Sequence, residues 1–277
     1  MSEGEIRERA YAKVNLVLHV GRPRPDGLHP LCSIFASVDL ADEVLVRPAR
    51  GEGDDVRCAG VDGPNLAAAA LAAFRERVPS LPPLDVQIAK RIPVAAGLGG
   101  GSADAAAVLR AANRIADEPL DPPGLREIAA TLGSDVPSQV DPRHALVTGV
   151  GEAVEPIRLP ALAVVLVPQG KGLATAAVYE RLDRMEGWRK ELDPGALRAI
   201  SQADPSSWTL ENDLQPAALT LRPELADVLD ELGSTDALAA LVSGSGPTCF
   251  GLFADLAAAE AAANAMPGAL AVGLRAA

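Results

Sequence analysis

Four glycines near the middle of the chain could bind a phosphate group. They stand at positions 97, 99, 100 and 101, and an alanine-rich stretch follows them. Glycine can adopt a positive φ and lets the backbone approach a ligand closely, so its peptide N–H groups can face an anion. A helix that begins there adds unpaired N–H groups and the positive end of its dipole. The candidate phosphate-binding residues are Pro93, Val94, Ala95, Ala96, Gly97, Leu98, Gly99, Gly100, Gly101, Ser102 and Ala103.

The residues around the glycines predict a strand, a loop and a helix in that order. Apolar and polar residues alternate from Leu84 to Ala89, as in a half-buried strand, and Pro93 ends this pattern. The loop is not a P-loop, because no Lys-Ser/Thr pair follows the last glycine, and the dinucleotide-binding spacing is also absent. Ser102 could cap the helix or reach a phosphate or a metal ion. A flexible turn before an alanine-rich helix is the alternative.

The composition limits the classes of partner. The 277 residues are 48% hydrophobic but only 3% aromatic, which predicts a globular protein with a core of Ala, Leu and Val. A net charge of −12 argues against nucleic acid, which requires a basic surface. Three scattered cysteines indicate a reducing compartment, and no apolar stretch is long enough to span a bilayer. We therefore expect a cytoplasmic protein with no membrane partner.

Strands and helices mix along the whole chain and predict two α/β or α+β lobes. Lys13 and Asn15 share the partly polar face of a first strand at 12–20. The other predicted elements are strands at 31–40, 43–47 and 162–167, helices at 65–77 and from 175, a helix ending before Gly133, a linker at 156–160, and two strands joined by a turn at 243–247.

Three segments spread over the chain resemble the GHMP family of small-molecule kinases. They are Lys13-Val14-Asn15-Leu16, the glycine-rich stretch from Pro93 to Ala107 (called the glycine segment below), and Ser243-Gly244-Ser245-Gly246-Pro247-Thr248. The resemblance implies an α+β fold of two lobes. The N-terminal lobe, expected at residues 1–155, would resemble the second domain of ribosomal protein S5. The C-terminal lobe, expected at 156–277, would be ferredoxin-like, with the active site between the two. It also implies phosphoryl transfer from ATP, with Mg2+ accompanying the nucleotide.

Further segments are similar to one member of that family, a kinase of a cytidine-diphosphate-linked sugar alcohol. They are Arg24 to His29, Leu132 to Pro137, and Thr175 to Tyr179. The resemblance implies phosphorylation of the 2-hydroxyl of such a substrate. Two alternatives stay open: another GHMP kinase acting on homoserine, mevalonate or a sugar, and a nucleotide-binding regulator of the same fold without catalysis.

The resemblance assigns catalytic roles to two residues. Asp135 matches the family's catalytic aspartate and would accept the proton of the attacking hydroxyl. Lys13 matches the lysine paired with it and would stabilise developing phosphoryl charge. From the pattern alone, Asp135 could instead be an acidic residue that complements a helix dipole, and Lys13 a solvated strand lysine.

The remaining candidates would bind the substrate or the nucleotide. By resemblance, His29 contacts the cytosine ring, Tyr179 offers it an aromatic face, and Thr175 hydrogen-bonds its edge or caps a helix. Asn15 would bind substrate hydroxyls or satisfy a backbone group. Leu28 stands where the family usually has a tyrosine beside the base.

Two points remain open at this stage. Asn65 matches a position near the adenine, but it could equally be a helix N-cap. No protein ligand of Mg2+ is predicted beyond a contact with Ser102. We expect a monomer or a homodimer.

Overall fold

A computed structural model describes residues 4–61 and 65–276 of the chain. In these ranges strands and helices mix from end to end, which confirms the predicted α+β class. The strands are β1 (Ile6–Val20), β2 (Leu31–Pro48), β3 (Asp55–Cys58), β4 (Leu84–Ala89), β5 (Ala145–Gly149), β6 (Ala153–Pro156), β7 (Ala163–Val167), β8 (Ala239–Val242), β9 (Cys249–Phe253) and β10 (Leu270–Gly273). The helices are α1 (Leu66–Arg77), α2 (Gly100–Ile115), α3 (Pro122–Leu132), α4 (Val136–Gln139), α5 (Thr175–Arg184), α6 (Pro194–Gln202), α7 (Gln215–Leu221), α8 (Leu225–Gly233) and α9 (Leu256–Ala265). A short 3-10 helix spans Pro205–Ser207.

The chain forms two compact units, each assembled from separate segments. Unit 1 contains Met1–Ala12, Leu40–Val94 and Gly99–Pro142, and unit 2 contains Lys13–Asp39, Ala95–Leu98 and Arg143–Ala277. Both β1 and β2 contribute residues to each unit, and so does the glycine segment. The predicted lobe boundary at 155/156 cuts the chain at one position, whereas each unit combines several segments. This boundary stays a prediction.

Unit 1 packs its helices over strands among which β4 lies between β3 and β2. β4 pairs antiparallel with Glu43–Pro48 of β2 and parallel with β3. The alternation at Leu84, Val86 and Ile88 turns these side chains into the core, where α1 and α2 pack on each other. The alanines of α2 allow this close approach of the helices. The core also includes Leu71, Phe74, Leu109, Leu125 and Ile128.

Unit 2 contains a second sheet in the order β10-β7-β9-β8, with every pairing antiparallel. All five residues of β7 are buried, which explains its uninterrupted apolar sequence. In the same unit, β5 pairs with Leu31–Phe35 of β2 and with β6. The predicted pair of strands around 243–247 is confirmed as β8 and β9.

The structure corrects the prediction of separate strands at 31–40 and 43–47, because β2 is continuous. Asp42 interrupts the apolar pattern, yet it is fully buried within the strand. Its carboxylate accepts hydrogen bonds from the backbone N–H groups of Arg91 and Ile92, so the strand continues through a polar residue. The short strands β3, β5, β6 and β10 were not predicted.

The helices within residues 4–61 and 65–276 include no candidate membrane span. None of them combines the length and the apolar character that crossing a bilayer requires.

Candidate active site

The first half of the glycine segment, Ala95–Leu98, belongs to unit 2 and packs on the turn that follows β8. The N–H of Thr248 donates to the Ala96 carbonyl at 3.2 Å, and Ser243 Oγ donates to the Gly97 carbonyl at 3.1 Å. Gly97 has φ +75°, and a Cβ on it would lie 2.6 Å from two carbonyl oxygens of the turn. Glycine is therefore required here both by conformation and by space.

The second half, from Gly99 onward, belongs to unit 1 and begins α2. Gly99 is the N-cap with φ 71°, and no side chain caps the helix. Ser102 lies inside the first turn, so the prediction that it caps α2 is wrong, while its contact with a phosphate stays a prediction. The first backbone hydrogen bond runs from Ala103 N–H to the Gly99 carbonyl. The amides of residues 100–102 have no acceptor inside the helix.

The space on the side-chain side of Gly101 in this turn is open. A Cβ on Gly101 would meet no heavy atom within 4 Å, whereas one on Gly100 would lie 3.0 Å from a methyl group of Ile92. Packing within the protein therefore does not require glycine at position 101. An anion approaching this turn is one use of the open space.

The outer candidates of the segment lie on either side of this turn. Pro93 is partly buried, Val94 is 58% exposed and Ala103 is buried against the unit 1 core. Ala95 adopts a positive φ of 54°, which is rare for a residue other than glycine.

A buried charged cluster lies behind the first turn of α2. Lys90 Nζ contacts Asp42 Oδ2 at 2.5 Å and Asp104 Oδ2 at 2.7 Å. Burial raises the pKa of the Asp104 carboxyl to about 7, against the attraction of Lys90. Burial also disfavours the charge on Lys90, but the two carboxylates more than offset this and raise its pKa. Oδ1 of Asp104 is buried without a hydrogen-bond donor among the described residues.

Lys13 and Asn15 lie side by side on β1 in unit 2, as their two-residue spacing requires. Lys13 Nζ donates to Asn15 Oδ1 at 2.7 Å and lies 4.5 Å from the centre of the Phe35 ring. Asn15 Nδ2 donates to Ser33 Oγ at 2.9 Å, and Ser33 Oγ donates to the Val17 carbonyl at 2.5 Å. Lys13 is only 4% exposed, which rules out a solvated strand lysine.

His29 and Tyr179 are brought together in unit 2. Their ring centres are 5.1 Å apart with the planes tilted by 45°. His29 Nδ1 lies 2.9 Å from the Gly21 carbonyl, which can only accept a hydrogen bond, so Nδ1 is the donor, and Nε2 lies 3.4 Å from Asp183 Oδ1. His29 is buried, although the turn before it is exposed.

Thr175 connects α5 with the turn after β8. Its Oγ1 lies 2.9 Å from Ser245 Oγ. Thr175 is the first residue of α5, four residues before Tyr179, so both side chains emerge from one face of the helix. Ala174 is the N-cap of α5, and the prediction that Thr175 caps a helix is wrong.

Three further candidates lie at a helix N-terminus or in a turn. Asn65 is the N-cap of α1, where its Oδ1 accepts from Ala67 N–H at 2.8 Å, so it has a structural role whether or not it contacts a nucleotide. Asp135 in unit 1 precedes α4 but makes no capping hydrogen bond to it. Leu28 is 52% exposed in the Arg24–Leu28 turn.

Sequence reasoning missed several partners of these residues. Ser33 and Phe35 come from β2, and Asp183 comes from α5, one turn after Tyr179. Lys90 and Asp42 lie outside the glycine motif altogether. Only the four-residue spacing from Tyr179 to Asp183 could have indicated one of these partners from the sequence. The other contacts join segments that are distant in the chain.

Models of two family domains match the chain. "GHMP kinases N terminal domain" matches residues 65–141, and "GHMP kinases C terminal" matches 188–272. A relative in Rhizobium etli (strain CIAT 652), named 4-diphosphocytidyl-2-C-methyl-D-erythritol kinase, is 38% identical, and the match covers 95% of this chain and 91% of the relative. The chain belongs to the GHMP kinase family. A relative of the same name in Streptomyces avermitilis is 42% identical over 94% of this chain and 92% of its own length.

Solved GHMP kinases have the same fold. The crystal structure of a 4-(cytidine 5'-diphospho)-2C-methyl-D-erythritol kinase aligns with a TM-score of 0.84 and 34% identity, covering 98% of this chain and all of the other. A homoserine kinase from Cytophaga hutchinsonii aligns with a TM-score of 0.64 and 18% identity, over 99% of this chain and 96% of that one. The second likeness shows the fold alone. The predicted family and the two-lobed GHMP kinase fold are confirmed, and the chain is a kinase.

Proposed function

We propose that this kinase transfers the terminal phosphoryl group of ATP to the 2-hydroxyl of 4-diphosphocytidyl-2-C-methyl-D-erythritol, a step in non-mevalonate isoprenoid precursor synthesis. The observation that carries the proposal is the 38–42% identity, over more than nine-tenths of the chain, to relatives named for that substrate. The solved homoserine and mevalonate kinases are 10–18% identical, and they support only the shared fold.

The proposed nucleotide site is the glycine segment. The amides of residues 100–102 would bind the polyphosphate, because they lack helical acceptors and lie at the positive end of α2. The open space over Gly101 supports this role. A chain with a net charge of −12 needs such a local device to bind an anion.

Mg2+ is proposed to bind together with ATP. Among the described residues no group of three His, Cys, Asp or Glu side chains could hold a metal ion. Phosphate oxygens and water would therefore supply most ligands, with Ser102 as the one protein ligand we name. When bound, the metal would neutralise phosphate charge.

Lys13 and Asp135 are the proposed catalytic residues. Lys13 is buried and held by Asn15 and the Phe35 ring, so its charge is fixed in position. Such a cation can stabilise charge on the transferring phosphoryl group without reorganisation. Asp135 is proposed to accept the proton of the attacking hydroxyl.

The proposed site for the cytosine base consists of His29, Tyr179 and Thr175. The tilted contact of the two rings provides an apolar surface, and Nε2 of His29 and Oγ1 of Thr175 provide polar groups. Asn15 is proposed to bind a substrate hydroxyl. Because Leu28 replaces an aromatic residue, stacking on that side of the base would be weaker.

The test is ADP release by the purified protein with a panel of alcohols. The panel contains 4-diphosphocytidyl-2-C-methyl-D-erythritol, the same sugar alcohol without the cytidine diphosphate, homoserine and mevalonate. We expect turnover of the first compound only. Turnover of homoserine or mevalonate instead, or of none of the four, would contradict the proposal.

Two variants test whether Asp135 acts as the catalytic base or is only an acidic residue at a helix terminus. Asp135→Asn should lower kcat by at least about a hundredfold while leaving ATP affinity within about twofold. Asp121→Asn is the matched control, since Asp121 caps α3 through Gly124 N–H in the same unit. The control should keep full activity, and near-normal turnover of Asp135→Asn would remove Asp135 as the base.

The expected compartment and assembly are also proposals. Cys32, Cys58 and Cys249 form no disulfide, which suits a reducing cytoplasm. A monomer or a homodimer that binds no nucleic acid and no membrane remains our proposal.

A further inference from the structure

Asn212 is a buried residue whose side chain is fully engaged with backbone groups. It is 6% exposed, and its Nδ2 donates to the carbonyls of Val242 and Gly244, each at 2.8 Å. Its Oδ1 accepts from Leu214 N–H at 2.9 Å. One amide group therefore holds both the end of β8 and the turn that follows it.

That turn is the surface on which the first half of the glycine segment rests. Carbonyls of Ser243 and Gly246 approach Gly97 so closely that a Cβ there would be 2.6 Å from each. Gly244 lies beside Lys13 and Asn15, since a Cβ on it would be 3.7 Å from Lys13 Nζ and 3.1 Å from Asn15 Oδ1. These close contacts of the turn with Gly97 are between backbone atoms, so no flexible side chain can absorb a shift of the turn against the glycine segment.

The backbone on either side of Asn212 is hydrogen-bonded to β1. Leu18 N–H donates to the Glu211 carbonyl at 2.8 Å, and Asp213 N–H donates to the Leu18 carbonyl at 2.9 Å. β1 also carries Lys13 and Asn15. Asn212 thus connects the strand that carries the proposed catalytic lysine to the turn that supports the glycine segment.

We propose that Asn212 is a positioning residue for nucleotide binding, which sets the place of residues 95–98 through the 243–247 turn. The inference rests on the proposed ATP-binding role of the glycine segment. Without the two N–H donors, two buried carbonyls lose their partners, and the turn can move away from β1. The glycine segment would follow the turn, because their backbones are in contact.

A buried asparagine of the same exposure provides the control for a purely structural role. Asn113, also 6% exposed, donates from Nδ2 to the Leu120 carbonyl at 2.8 Å and accepts from Leu120 N–H at 3.1 Å. It closes the loop after α2 in unit 1, and both of these hydrogen bonds are to Leu120, which is not a proposed ligand-binding residue. Loss of its hydrogen bonds should affect folding alone.

The experiment measures binding of a non-hydrolysable ATP analogue to Asn212→Ala and Asn113→Ala, next to their denaturant midpoints. Both variants should lose similar stability. Only Asn212→Ala should weaken analogue binding, by at least about tenfold, because small misplacements of binding groups have large effects. Asn212→Ser, which keeps one hydroxyl donor, should recover part of that loss.

Each outcome decides the proposal. If Asn212→Ala binds the analogue as Asn113→Ala does, Asn212 has a structural role only and the inference is wrong. If Asn212→Ala does not fold, Asn212→Ser is judged by the same comparison. If the wild-type protein binds the analogue but does not turn over the cytidyl substrate, the proposed acceptor fails while the inference is still tested. If the wild-type protein binds no analogue, both fail.

Discussion

The two halves of the glycine segment are held by different physical means. Residues 95–98 in unit 2 depend on neutral hydrogen bonds from Ser243 and Thr248 and on close backbone contact. The first turn of α2 in unit 1 has the buried cluster of Lys90, Asp42 and Asp104 behind it. The neutral support is sensitive to added volume and indifferent to pH. The charged support is sensitive to the loss of a charge and to pH.

Asp42→Ala should have the largest effect on stability. It removes a fully buried carboxylate, leaves Lys90 with one partner, and leaves the N–H groups of Arg91 and Ile92 without acceptors. Breaking a buried ion pair in this way costs about 3–5 kcal/mol of unfolding free energy. Chemical denaturation checks the value.

Asp85→Ala is the matched control for that experiment. In the Asp85–Arg47 pair the arginine side chain is 44% exposed and the aspartate side chain 15%, so the pair is partly solvated and its loss should cost only about 1 kcal/mol. Equal losses in the two variants would mean that the buried cluster is not the stronger support.

Gly97→Ala should be next, with a loss of about 3 kcal/mol from strain and overlap together. Gly268→Ala separates the two causes, because Gly268 has φ +76° but open space around it, whereas Gly97 has φ +75° and two carbonyls at 2.6 Å. The control should lose only about 1 kcal/mol. Similar midpoints for the two variants in a denaturant titration would show that the contact with the 243–247 turn is unimportant.

Asp104→Asn should reveal the pH sensitivity of the charged support. The pKa of Asp104 is raised to about 7 by burial, so the folded state binds its proton more tightly than the unfolded state. This carboxyl therefore lowers stability as pH rises from about 4 to about 7. Relative to wild type, the variant should gain on the order of 1 kcal/mol between pH 5 and pH 8.

Unfolding titrations of wild type and Asp104→Asn at those two pH values provide the measurement. Lys90 and Asp42 face the same carboxyl and remain in both proteins, so their contributions largely cancel in the difference. A difference that does not change with pH would show that Asp104 is already charged, or never charged, across the range.

Gly101→Ala should have the smallest effect on stability and a clear effect on function. Alanine is favoured over glycine inside a helix by up to about 1 kcal/mol, and no atom lies within 4 Å of the new methyl group. The variant should be as stable as wild type or more so, yet its KM for ATP should rise. Gly233→Ala in α8, where space is also open, should leave that KM unchanged. An unaltered KM in Gly101→Ala would place the phosphates elsewhere.

Local patterns in the sequence were enough to predict the elements that carry most of the candidate site residues. The glycine segment, the strand with Lys13 and Asn15, and the spacing of Thr175 and Tyr179 all depend on contiguous residues. Their periodicity and turn chemistry can therefore be read without knowledge of the fold. The family resemblance then supplied the roles.

The supports of the site could not be predicted in that way. Asp42 accepts from a backbone N–H 50 positions away, and Asn212 donates to a carbonyl 30 positions away. A single polar residue in an apolar run carries no sign of its distant partner. In β2 the buried Asp42 led to the wrong prediction of two strands, because an aspartate in an apolar run indicates the end of a strand until its hydrogen-bond partners are known.

The most direct test of the account is hydrogen–deuterium exchange at residues 97–102 with and without a non-hydrolysable ATP analogue and Mg2+. The amides of residues 100–102 lack helical acceptors, so they should exchange rapidly in the free protein. We predict that the analogue slows their exchange, and that it does so less in Gly101→Ala. If the analogue slows exchange elsewhere in the protein but not at residues 97–102, the result contradicts the central claim that these amides bind the polyphosphate.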